Sequence, residues 1–124
     1  MKLSNFLTVK AAVATFLGIV LVLAPAALMS IYGLTLDSAG AFIAQTAGAS
    51  LIGIGLICWF SKNLDWQALS GITLALFIAD GIGFVVILMG QLSGQMNGLG
   101  WTTVAAYLLF TLGLGYFRFM KPPV

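Results

Sequence analysis

Long apolar runs broken by short polar connections set the pattern of this chain. The runs cover residues 11–32, 39–60, 68–90 and 101–119. An α-helix rises about 1.5 Å per residue and the hydrocarbon core of a bilayer is about 30 Å thick, so about 20 residues make one crossing. Each run has that length. None alternates apolar with polar residues as a barrel strand does. The pattern predicts an all-α protein, an up-down bundle of four transmembrane helices in a single domain, 1–124. The connections 33–38, 61–67 and 91–100 are short, so sequential helices should be antiparallel neighbours.

Composition agrees: 61% of the residues are hydrophobic and 6% are charged, where a soluble domain carries about 25% charged residues. A net charge of +2 gives no basis for nucleic-acid binding, but its distribution orients the chain. Lys2 and Lys10 precede the first run, Lys62 lies in the middle connection, and Arg118 and Lys121 close the last. Basic residues near span ends favour the cytoplasmic side. Both termini and residues 61–67 are therefore expected in the cytoplasm. Tyr32, Trp59, Phe60, Trp66, Trp101, Tyr116 and Phe117 lie at or near span ends, where aromatic belts form. The segment from Lys2 to Ala24-Pro25-Ala26 also fits a cleavable secretory leader. We read it as a retained first span, kinked at Pro25, whose ring removes a backbone donor.

Lipid tails are as apolar as leucine, so helices in a membrane associate through small residues that let backbones approach. The second run is dense in them. Ala44, Gly48 and Gly55 form one stripe, and Ala49 with Gly53 forms a second beside it. This run is expected to be the packing centre. Gly55-Leu56 with Trp59 is echoed by Gly113-Leu114 with Phe117, as a duplicated hairpin or chance in a Gly/Leu-rich chain would give. The connection 91–100 reads as a flexible surface loop.

Candidate chemistry is sparse. The chain has no His and one Cys, Cys58. Histidine-held haem or pigment, the usual zinc sites and a Cys-His pair are thereby excluded. No catalytic constellation is present, so an enzyme is not expected; Asp37 and Asp65 fall at opposite faces. No metal is expected, and a bound lipid or pigment would have to be held without His. Asp80, near the middle of the third run, is the one ionisable residue at that depth, where insertion scales put a charge at about 2.5–3.5 kcal/mol. Ser50 and Thr111 lie at a similar depth, with Tyr107 and Gln45 about a turn further out. These five form a candidate intramembrane polar site. Asp80 has three open readings: a structural hydrogen bond, a contact to a partner subunit or pigment, or a proton or cation relay.

Leu23-Ala24-Pro25, Tyr32-Gly33, Leu36-Asp37 and the run from Gly48 to Trp59 (GASLIGIGLICW) resemble a group of small uncharacterised bacterial four-helix membrane proteins, loosely similar to DoxX-like proteins. The resemblance covers most of the chain and rests on glycines and aliphatics. It implies a bacterial inner (cytoplasmic) membrane and a four-helix fold, and no activity. Members of that group often carry a basic residue where this chain has Gln45, which implies a charge pair with Asp80 that is lost here. The expected role is an accessory or structural subunit of a larger membrane complex, respiratory or photosynthetic, in contact with lipids and with other transmembrane subunits or copies of itself. The alternative is a small homo-oligomeric transporter or channel using Asp80.

Overall fold

The computed structural model describes residues 1–120; Lys121 lies outside them. The described chain is helical: α1 (Leu3–Leu23), α2 (Pro25–Ile31), α3 (Ser38–Ser61), α4 (Trp66–Leu92) and α5 (Gly100–Gly115), closed by a π-turn at Tyr116–Met120. Four helices are long and apolar enough to cross a membrane: α1, α3, α4, and α5 with its π-turn.

Local chemistry sets the ends. Asp37 caps α3 by accepting from the Gly40 N–H at 2.6 Å. Asp65 caps α4 by accepting from the Ala68 N–H at 3.0 Å. A carboxylate there satisfies a donor that the first turn leaves open and complements the positive end of the helix dipole. The first span differs from expectation at both ends. α1 starts at Leu3, so Lys10 lies two turns inside it and is buried, rather than flanking the span. Instead of a kink there is a break: Ala24 leaves helical geometry at φ −146°, ψ 62°, and α2 restarts with Pro25 in its first turn. Proline suits a first helical turn because the missing N–H has no acceptor there.

The chain divides into two compact units: residues 7–62, and residues 1–6 with the chain from 63 onward. In the first unit, α1 and α3 meet along one small-residue seam. Besides Lys10, the buried positions of α1 in this unit are Leu7, Ala11, Ala14, Gly18 and Leu21, a spacing of four and three that keeps one face in register. On α3 the buried positions are Gly48, Gly55, Cys58 and Ser61. The backbones touch where glycine faces glycine. A Cβ on Gly48 would stand 2.7 Å from the Gly18 carbonyl oxygen, and one on Gly18 would stand 2.6 Å from the Gly48 carbonyl oxygen. Gly55 likewise receives Thr15 and the Ala11 carbonyl.

The expected second seam on α3 does not form. Ala49 is exposed, and a Cβ on Gly53 would meet nothing within 4 Å. Nor is α3 the most enclosed helix: 33% of the apolar window of α1 is buried, against 17% in each of the other three. A count of small residues picks out α3 but overlooks how Ala11, Ala14 and Gly18 align on α1.

In the second unit, α4 and α5 pack as an antiparallel hairpin. Gly83 receives the Tyr107 ring and Gly115 the Phe77 ring. The guanidinium Nε of Arg118 donates to the Ser70 carbonyl at 3.2 Å, which ties the π-turn to the start of α4. Phe6 closes the same end, packing on Gly113 and edge-on to Phe110, 5.8 Å between centroids.

Candidate functional site

The α4–α5 hairpin brings together three of the five residues of the candidate polar site. Asp80 lies on the buried stripe of α4 with Leu69, Thr73, Leu76 and Gln91. Tyr107 faces it from α5, near enough for the carboxylate and the phenol to interact electrostatically. Gly83, almost one turn beyond Asp80, makes room for that ring: a Cβ there would stand 2.9 Å from the Tyr107 Cδ1. The ring is held against α4 because α4 has no side chain at that point. Thr111, one turn along α5, faces Gly81; its Cγ2 would lie 3.8 Å from a Cβ there. Its hydroxyl donates to the Tyr107 carbonyl at 2.7 Å, so its proton serves its own helix and not Asp80.

The other two residues lie in the 7–62 unit, and each has its own bond. Ser50 is exposed and donates to the Thr46 carbonyl at 3.3 Å. Gln45 crosses between helices: its Nε2 donates to the Val22 carbonyl at 3.0 Å. The break at Ala24 explains that choice. A helix running on past Val22 would bond its carbonyl to the N–H of residue 26, but that residue now lies in the first turn of α2. The Gln45 amide satisfies the carbonyl instead. In an apolar medium an unsatisfied carbonyl costs several kcal/mol.

The same habit runs through the apolar helices. Thr46 donates to Phe42 and Thr73 to Leu69, at 3.0 and 2.8 Å. These bonds turn hydroxyls inward onto the backbone. Among the described residues no group of three or more His, Cys, Asp or Glu gathers to hold a metal ion.

The connection 91–100, expected as a flexible surface loop, carries hydrogen bonds of its own. Gln91 is buried and donates through Nε2 to the Asn97 carbonyl at 3.1 Å. The Asn97 carboxamide oxygen accepts from the Leu99 N–H at 3.0 Å. Gly100 is buried against the Gln91 side chain, and Gly94 turns the chain at φ +78°, a conformation glycine adopts freely.

A cluster the sequence reading passed over sits at the far end of the α1–α3 seam. The Lys62 ammonium lies over the Trp59 ring, 3.6 Å from its centroid, and donates to the Thr8 hydroxyl at 3.3 Å. The signal was present in the sequence: Trp59 and Lys62 are three apart at a helix end, a spacing that makes side chains neighbours. Comparison with protein-family models, with curated proteins and with solved structures gives no match for this chain.

Proposed function

We propose that this chain is a multi-pass protein of a bacterial inner membrane, loosely DoxX-like, with both termini and the 61–67 connection in the cytoplasm. Its role is that of an accessory or structural subunit, packing against other transmembrane chains through the apolar faces of its helices. One observation carries this reading: Thr46, Ser50, Thr73 and Thr111 all return their hydroxyl protons to carbonyls of their own helices. A transport path needs donors and acceptors aimed into it, and these are aimed away. The outward positions are large and apolar instead, among them Phe16, Phe42, Ile43, Ile82 and Leu109. Purification in mild detergent tests it. Companion chains should co-purify in fixed ratio, and a lone monodisperse monomer would end the proposal.

The second reading is a homo-oligomeric proton or cation carrier. The buried Asp80 beside Tyr107 is what favours it. In that case Asp80→Asn abolishes a pH-dependent flux in liposomes, and an unchanged flux removes the idea.

A further inference from the structure

A groove runs between α1 and α3 in the 7–62 unit, lined by Thr8, Ala11, Ala12, Thr15, Leu56 and Trp59, with a volume of about 280 Å³. Its origin is the seam itself. Ala11 and Thr15 meet Gly55 at backbone distance, so the helices are close while the side chains beside the seam are small. A furrow is left, and Ala12, Leu56 and Trp59 on its walls are exposed. Its walls are mostly apolar, the Thr15 hydroxyl being turned onto Gly55, and a cation stands at one end. There the Thr8 hydroxyl and the Lys62 ammonium meet at 3.3 Å, with the Trp59 ring beneath the ammonium at 3.6 Å.

We propose that this groove binds one acyl chain of an anionic glycerophospholipid, with the phosphate held by Lys62, which Thr8 and Trp59 position. The direction is right for a lipid. Thr8 and Thr15 are seven residues apart, about 10 Å along the helix axis, so the apolar part runs inward from the cation. The charge is right too. An ammonium has three N–H donors, and the bond to Thr8 uses one. The Trp59 face fixes the ammonium through a cation–π contact and leaves the remaining donors for an anion. Tryptophan and lysine together mark the headgroup level of a membrane, and the basic side of the chain is where anionic lipids collect in a bacterial inner leaflet. Pockets for compact ligands are commonly about 300–1,000 Å³ and enclose most of the molecule. A narrower, open furrow suits a single flexible chain.

The inference rests on the membrane reading above, and the test separates the two. The full chain carrying Trp66→Phe and Trp101→Phe keeps Trp59 as its only tryptophan. It is reconstituted in phosphatidylcholine vesicles doped with phosphatidylglycerol or phosphatidylcholine bearing identical brominated acyl chains. Brominated phosphatidylglycerol should quench Trp59 at a several-fold lower mole fraction than brominated phosphatidylcholine. Lys62→Gln should erase that preference and Lys62→Arg should keep it. Ala12→Phe, which fills the furrow, should weaken quenching by both lipids. Equal quenching by the two lipids, or a preference that survives Lys62→Gln, overturns the site while leaving the membrane reading intact. If no brominated lipid quenches Trp59, Trp66 or Trp101 in the unsubstituted chain, the membrane reading falls and the site with it.

Discussion

Gln45 donates to the carbonyl of Val22, 23 positions earlier, at 3.0 Å. The bond joins α3 to a carbonyl at the end of α1 that loses its backbone donor at the break. Side-chain hydrogen bonds between membrane helices average about 0.6 kcal/mol and reach about 1.7 kcal/mol. Gln45→Leu should therefore lower the thermal midpoint of the detergent-solubilised chain by a few degrees. In a Pro25→Ala background, where a continuous helix can bond Val22 internally, the same substitution should cost less. A double-mutant cycle reads the difference; identical costs in both backgrounds would disprove the coupling.

The glycines of α3 should separate sharply on substitution. Gly48→Val must displace the Gly18 backbone, because a Cβ already stands 2.7 Å from its carbonyl oxygen. Backbone has no alternative rotamer, so the cost should be at least the ~1–3 kcal/mol typical of overpacking. Gly53→Ala meets open space and gains helix propensity, of order 0.5–1 kcal/mol in its favour. Thermal melts of the two variants should move in opposite directions.

Gly83 and Tyr107 form a fitted pair. Gly83→Leu should push the Tyr107 ring away and loosen the α4–α5 hairpin, with a loss of ~1–3 kcal/mol. Tyr107→Ala vacates the space a larger residue at 83 would need, so the double variant should be more stable than the sum of its parts implies. Additive losses would show that the ring does not rest on Gly83.

Topology can be read with one cysteine at a time. Cys58 is fully buried, so Cys58→Ser gives a silent background, at the cost of a small packing loss. Asn63→Cys and Gln95→Cys should then react with a membrane-impermeant maleimide from opposite sides of inverted and right-side-out vesicles. Labelling of both from the same side would refute the proposed orientation.

Much of the fold was legible because it follows from lengths. An apolar run near 20 residues has few alternatives to a helix, and short connections leave little freedom in the order of neighbours. Ends were harder to read. Lys10 looked like a flank because charge usually stops a span, yet it lies inside α1 and is buried, which no residue-by-residue hydropathy can anticipate. Pro25 was visible as a disturbance, but whether a helix bends or breaks depends on what satisfies the carbonyls a break frees, and Gln45, which bonds that of Val22, is a distant residue. Within the polar site, depth alone placed Tyr107 near Asp80, on the neighbouring helix. Depth could not say that Thr111 and Ser50 would bond their own helices, because a hydroxyl chooses between the backbone four residues back and a partner across the gap by side-chain rotamer. Trp59 and Lys62 were read separately, as a belt aromatic and a topology charge, although their spacing placed them in contact.

The break at Ala24 also changes how the first leg measures itself against a membrane. α1 has 21 residues, about 31 Å at 1.5 Å per residue, which matches the average hydrocarbon core with nothing to spare. α2 adds seven residues, none of them buried, and is not needed to complete that crossing. α4 has 27 residues, about 40 Å, and would have to tilt to cross the same bilayer. In one bilayer the first leg would therefore fit upright and the third would fit only by leaning.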